Sequence, residues 1–239
     1  MTEGHNRIIV ALDVRSAEDA VTLATSLEPH VGAFKIGLGL LHGPGPATID
    51  ALVRLGKPVF ADAKLHDIPS QVEAAAYRLG THGARWVTAH VSGGADMLEA
   101  AVRGLRAGGG AAETGVLGVS VLTSLSAVDL ERLGIQRTPG QLVGKMAKVA
   151  LSAGCEGLVC APQELHVVGQ AAPGLMRVTP GIRPESVDDD QTRVSTPADA
   201  VRKGADWLVV GRPITAAPDP VAAAISIARA VREAEGALG

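Results

Sequence analysis

Aromatic side chains are nearly missing from this 239-residue chain, which has two Phe, two Trp and one Tyr. Binding single strands of nucleic acid by base stacking needs more rings than that. Neither sign of charge is in excess: 22 Lys and Arg face 25 Asp and Glu, a net −3. That balance argues against a partner recognised through a phosphate backbone or an anionic membrane surface. No apolar run approaches the roughly 18 residues of a membrane span. The segment Met1-Thr2-Glu3-Gly4-His5-Asn6 lacks a basic-then-apolar leader pattern and runs at once into a strand candidate. Cysteine is scarce too. Cys155 and Cys160 are five apart, which is neither C-x-x-C nor a disulfide framework. They read as small packing residues, and a reduced cytoplasmic compartment is expected. No G-x-x-x-x-G-K-[ST] loop and no H-E-x-x-H motif occurs, and Gly37–His42 lacks the third glycine of G-x-G-x-x-G. No metal and no cofactor is therefore expected.

What is present is β/α alternation. Nearly continuous apolar runs of strand length occur at Arg7–Val14, Ala33–Leu38, Pro58–Lys64, Trp86–Val91, Val116–Leu122, Gly157–Ala161, Arg177–Pro180 and Trp207–Val210. Such runs suit parallel strands buried on both faces. Helical patterns lie between most of them, among them Val72–His82, Ala95–Ala107, Gly140–Ala153 and Val221–Glu235. Ser16, followed three residues later by Asp19, marks a helix start. Eight such units in this length predict a single (β/α)₈ TIM barrel over residues 1–239; an open doubly wound sheet is the alternative. Gly43-Pro44-Gly45-Pro46 and Gly108-Gly109-Gly110 are turn punctuation, too short to act as linkers between domains. Arg183–Ser195 is long, polar and acidic, and its place after strand seven suits an active-site lid.

In such a barrel, chemistry gathers at the C-terminal ends of the strands. Polar residues interrupt the apolar runs there: Asp13, Lys35, Asp62 with Lys64, Asp67 just beyond, and His90. Side chains alternate along a strand, so Asp62 and Lys64 share a face. Barrel closure would gather Asp13, Lys35, Asp62 and Lys64, and four charges at one mouth must pair to be tolerated. Strand seven runs into Thr179-Pro180-Gly181-Ile182-Arg183, and strand eight into Gly211-Arg212-Pro213. A glycine before a helix start lets backbone N–H groups approach a phosphate, and Arg212 adds a charged donor. Phosphate sites after strands seven and eight are common in this fold. His66 reads as a loop residue. His90 reads either as a packed core residue or as a wall of the site. Ser120, Thr123 and Ser124 follow strand five with no recognisable triad context and read as hydrogen-bonding groups.

Asp62-Ala63-Lys64-Leu65-His66-Asp67-Ile68-Pro69 resembles the D-x-K-x-x-D-I-P signature of the orotidine 5′-phosphate decarboxylase family. Similarity extends to Ala11-Leu12-Asp13, Phe34-Lys35-Ile36-Gly37, Val121-Leu122-Thr123-Ser124, Val178–Arg183, Asp190-Gln191 and Val210-Gly211-Arg212. The resemblance implies a (β/α)₈ barrel that decarboxylates orotidine 5′-monophosphate to uridine 5′-monophosphate in pyrimidine biosynthesis, without metal or cofactor. It implies Lys64 as proton donor, in a charged array with Lys35 and Asp62 completed by Asp67 from a partner subunit. Asp13 and Lys35 would hold the ribose hydroxyls, and Thr123 or Ser124 the pyrimidine. Arg183, Gly211 and Arg212 would bind phosphate, with Gln191 reaching it from the lid. Ile68, Gln71 and Pro180 complete the substrate-binding set. The family pattern has threonine two residues after the proline, where this chain has Gln71. A nucleotide substrate, a homodimer with shared sites and a cytoplasmic location follow from the same resemblance, with no nucleic-acid or membrane partner. Related magnesium-dependent phosphosugar decarboxylases and synthases share the D-x-K-x-x-D core, but Lys35 places a cation where a metal would need a ligand. A non-catalytic phosphate-binding barrel is the alternative from another class.

Overall fold

The computed structural model describes residues 4–109, 114–184 and 194–237. Eight parallel strands form the barrel: β1 (Ile8–Ala11), β2 (Ala33–Ile36), β3 (Val59–Leu65), β4 (Trp86–His90), β5 (Gly115–Val119), β6 (Gly157–Val159), β7 (Met176–Thr179) and β8 (Trp207–Val210). Each pairs with the next, and β8 returns to β1 through Ile8↔Leu208, Ile9↔Val209 and Val10↔Val210. This last pairing excludes the open-sheet alternative. Around the barrel lie α1 (Ala17–Leu27), α2 (Leu38–His42), α3 (Ala47–Val53), α4 (Pro69–Thr81), α5 (Ala95–Gly109), α6 (Ala127–Arg132), α7 (Pro139–Ser152), α8 (Leu165–Ala171), α9 (Pro197–Arg202), α10 (Arg212–Thr215) and α11 (Pro220–Gly236). None of these helices is long and apolar enough to cross a membrane.

Strand periodicity sorts the core into two shells. Ile9, Ala11, Ala33, Phe60, Trp86, Leu117, Val178 and Val209 fill the barrel interior. Their neighbours, such as Ile8, Val10, Phe34, Ile36, Val59 and Ala61, point outward against the helices. A strand with apolar partners on both faces has no polar positions left, hence the continuous apolar runs. The strand candidates overran mainly at their C-terminal ends. Asp13 lies beyond β1, although Leu12 N–H still donates to Lys35 O at 2.8 Å. Six helices were not delimited from the sequence (α2, α3, α6, α8, α9 and α10), and each has seven residues or fewer. Two turns are too few to display a helical apolar period. The Ser16 cap forms as expected, its side chain accepting from Asp19 N–H at 3.0 Å.

Glycine sets one helix pair. A Cβ at Gly104 would fall on the backbone oxygen of Glu73, one at Gly108 on that of Tyr77, and one at Gly80 would stand 2.8 Å from Gly109 N. So α4 and α5 touch backbone to backbone, and no side chain can yield to make room. Gly104→Ala is expected to destabilise the fold by about 1–3 kcal/mol, the usual cost of overpacking. For a chain this size that lowers the melting temperature by roughly 2–4 °C per kcal/mol. Calorimetry of the variant reads this directly, and an unchanged transition would show that the helices can separate freely.

Candidate active site

The inward parity that carries Ile9, Ala33 and Phe60 continues upward into Lys35, Asp62, Thr88 and His90 at the C-terminal end of the barrel. Strand β3 is the longest, at seven residues, and its upper half is irregular. Against β4 the register passes from Ala61↔Val87 to Leu65↔Ala89, so four steps on β3 oppose two on β4. This is a β-bulge, a device that re-aims side chains. Lys64 lies inside it at φ 47°, the one non-glycine residue in the left-handed region among the described residues. Simple alternation led to the right contact between Asp62 and Lys64, but the backbone makes it through a bulge instead of a regular strand.

The four charges meet in a row of alternating sign. Lys35 Nζ lies 3.2 Å from Asp13 Oδ1 and 3.6 Å from Asp62 Oδ2, and Lys64 Nζ lies 2.6 Å from the same Asp62 Oδ2. Lys35 is buried, at 7 % exposure. Burying an ammonium is costly without such partners. Burial acts against the Asp62 carboxylate as well. The Lys35 and Lys64 ammoniums, with hydrogen bonds from Lys64 and Thr88, outweigh that penalty and hold its pKa below the ordinary carboxylate value. Gly37 gives the row its room, because a Cβ there would stand 3.0 Å from Asp13 Oδ1 and 3.3 Å from Lys35 Nζ.

These residues border a cavity of about 660 Å³ at the barrel mouth. The size suits one small molecule. Asp13, Lys35, Asp62 and Lys64 are among the charged residues that line it. Val121, Leu122 and Val159 line an apolar wall, beside which lies Thr123. Pro180, Gly181, Arg183, Gly211 and Arg212 also border it. Gly181 takes φ 77°, which turns the chain after β7. Arg183 N–H then donates to Ser195 O at 2.9 Å, and Ser195 N–H to Gly181 O at 3.0 Å. These bonds tie together the two ends of the segment expected to form a lid. Residues 185–193 of that segment, Gln191 among them, lie outside the described residues.

The structure separates other expected residues. Thr123 borders the cavity and Ser124 does not, being exposed. Asp67 and Ile68, on the turn into α4, and Gln71, in its first turn, are exposed and absent from the cavity lining. Asp67 Oδ1 accepts the N–H of Ile68 at 2.6 Å. Ser120 is structural: its hydroxyl donates to Val159 O at 2.7 Å and ties β5 to β6. His90 is half-buried, its ring 5.3 Å from that of His66. Burial, with the charges of His66 and Lys64, lowers its pKa below the ordinary imidazole value, against a smaller opposing effect of Asp62. Burial alone raises the Cys155 thiol to about 12, and Cys160 is raised as well, first by burial. Both therefore stay protonated, as packing residues do. Among the described residues, no three His, Cys, Asp or Glu side chains cluster closely enough to hold a metal ion. Sequence reasoning missed Thr88. The signal was present: a threonine two residues before His90 and two after Trp86 shares their inward parity.

Comparison with known proteins agrees with this fold. A curated relative from Anaeromyxobacter sp. (strain K), named orotidine 5′-phosphate decarboxylase, is 49% identical over 93% of this chain and 96% of its own length. One of the same name from Halorhodospira halophila is 42% identical over 97% of this chain and 98% of its own. The crystal structure of orotidine 5′-phosphate decarboxylase from Lactobacillus acidophilus superposes with a TM-score of 0.83 at 34% identity, covering 94% of this chain and 98% of that one. The family model described as orotidine 5′-phosphate decarboxylase / HUMPS matches residues 6–227, and with relatives of this identity and coverage, this chain belongs to that family.

Proposed function

We propose that this chain is a decarboxylase that converts orotidine 5′-monophosphate to uridine 5′-monophosphate in pyrimidine biosynthesis. The observation that carries this reading is the row Asp13–Lys35–Asp62–Lys64, which puts an ammonium beside a partly buried carboxylate at the barrel mouth. Breaking the bond from C6 to the carboxylate releases CO₂ and leaves the electron pair on C6. No carbonyl is placed to delocalise that pair. The protein must stabilise it with charges fixed in advance in a water-poor site. Lys64 supplies a cation next to the developing anion and then transfers its proton to C6. Asp62 holds both lysines in place, and its charge also faces the departing carboxylate. Asp13 and Lys35 are suited to bind the ribose hydroxyls, and Thr123 the pyrimidine.

The phosphate falls to Arg183, Gly211 and Arg212, which border the same cavity. Binding energy gained there, remote from the broken bond, orders the substrate for reaction. Arg212→Ala removes a charge-assisted contact, and about 10- to 100-fold should be lost from kcat/KM. Steady-state kinetics checks this, and a variant within twofold of the parent would move the phosphate elsewhere.

Two ammonium groups already neutralise the carboxylates of the row, so the chemistry proposed needs no cation from solution. Asp67, Ile68 and Gln71 face out of their own barrel, which suits a homodimer in which each subunit completes its partner's site. The two cysteines, without a disulfide between them, fit a reducing compartment, and we place the enzyme in the cytoplasm. One assay tests the central reading: loss of orotidine 5′-monophosphate absorbance with purified protein, with and without EDTA. Turnover insensitive to EDTA is expected. Turnover abolished by EDTA and restored by magnesium would favour the related metal-dependent sugar-phosphate chemistry. No turnover at all would leave a binding protein.

A further inference from the structure

Thr88 touches both ends of the reacting pair. Its side chain is fully buried on the inward face of β4. Its hydroxyl donates to Asp62 Oδ1 at 2.9 Å and accepts the backbone N–H of Lys64 at 2.8 Å. A carboxylate can only accept and an amide N–H can only donate, so this polarity is fixed. One hydroxyl therefore bridges the two residues across the bulge, where Lys64 holds φ 47°. The left-handed region is costly for a lysine and persists only where surrounding contacts impose it. Asp62 offers its other oxygen, Oδ2, to both lysines. The carboxylate is thus pinned on one oxygen by Thr88 and used on the other.

We infer that Thr88 is a positioning residue of the decarboxylation site, setting the Lys64 backbone and the Asp62 carboxylate in reacting register through its hydroxyl. This rests on the reading of Lys64 as proton donor. Thr88 does not border the cavity and touches no substrate atom. Its effect must pass through Lys64 and Asp62, so it should act on turnover and spare substrate binding, which uses Asp13, Arg183 and Arg212.

Thr88→Val keeps the shape and removes the hydroxyl, and Thr88→Ser keeps the hydroxyl. The valine variant should lose about 10- to 100-fold in kcat, as a reacting group drifts from its place. KM and the affinity for uridine 5′-monophosphate should stay within about threefold of the parent. The serine variant should keep kcat within about threefold. Hydrogen exchange gives a readout without substrate: the Lys64 amide should lose protection by about tenfold or more in the valine variant and keep it in the serine variant. Should the valine variant fail to fold, Thr88→Cys, a weaker hydrogen-bonding group, should fall between serine and valine in both kcat and amide protection. The inference is overturned by a valine variant with parental kcat and amide protection, or by a serine variant as impaired as valine. Parental kcat in a folded cysteine variant overturns it too. Lys64→Ala is assayed alongside. A dead Lys64→Ala with a normal Thr88→Val rejects the role of Thr88 alone, whereas an active Lys64→Ala rejects the proton-donor reading itself.

Discussion

Lys64→Ala should lose turnover on the order of 10⁴-fold or more, equivalent to roughly 5 kcal/mol of transition-state stabilisation. The magnitude follows from what one side chain is asked to do. In the proposed reaction Lys64 is the cation nearest the developing carbanion and also its proton source. Asp13 and Asp62 cannot replace a cation, and Lys35 is engaged between those two carboxylates. The variant should fold. The Lys64 side chain is about one-third exposed, so truncation opens no sealed cavity in the core. Asp62 would keep Lys35 at 3.6 Å and the Thr88 hydroxyl at 2.9 Å, which leaves its charge paired. Binding should survive as well, since the groups assigned to the ribose and phosphate are untouched. Calorimetric titration with uridine 5′-monophosphate, beside a turnover assay, separates the two effects. Near-parental turnover would falsify the assignment of Lys64.

Asp67→Ala should be similarly inactive, yet mixing it with Lys64→Ala should bring activity back. The reason is geometric. Asp67 follows the end of β3 by two residues and turns outward with Ile68, which is 61 % exposed. It borders nothing of the cavity in its own barrel. If Asp67 serves a partner's site across a two-fold axis, a mixed dimer carries one site lacking both residues and one site intact. At equal mixing with free exchange, half of the dimers are mixed, so about a quarter of parental activity returns. Native mass spectrometry establishes that subunits have exchanged. Mixtures that stay inactive despite verified exchange would show that Asp67 acts within its own barrel, where it already accepts the Ile68 N–H.

Much of the framework is written locally in the sequence. A strand whose outer face meets helices and whose inner face meets other strands must be apolar on both. All eight such runs were therefore visible, and Trp207–Val210 matches its strand end to end. The long helices were visible for a similar reason: Val72–His82, Ala95–Ala107 and Val221–Glu235 each span enough turns to repeat their apolar positions. Charges that break apolar runs near strand ends stand out against that background. Asp13, Lys35, Asp62 and Lys64 can be named from the chain alone, and the motif around Asp62 points to the family.

Tertiary structure decided the rest. Whether eight strands close or lie open depends on β8 meeting β1, residues some 200 apart in sequence, and no local pattern encodes that pairing. Strand alternation assumes regular backbone, so it could not foresee the bulge between Ala61 and Leu65 or the left-handed Lys64. Parity alone turns Thr88 inward, but its partners were set only when that bulge brought the Lys64 N–H and the Asp62 carboxylate onto its hydroxyl. Thr123 and Ser124 are adjacent and chemically alike, and only the path of the chain after β5 turns the first to the cavity and leaves the second exposed. Residue type and period are properties of a short segment, legible wherever the backbone is regular. Closure, bulge and facing depend on contacts between distant segments, and these exist only once the barrel has formed.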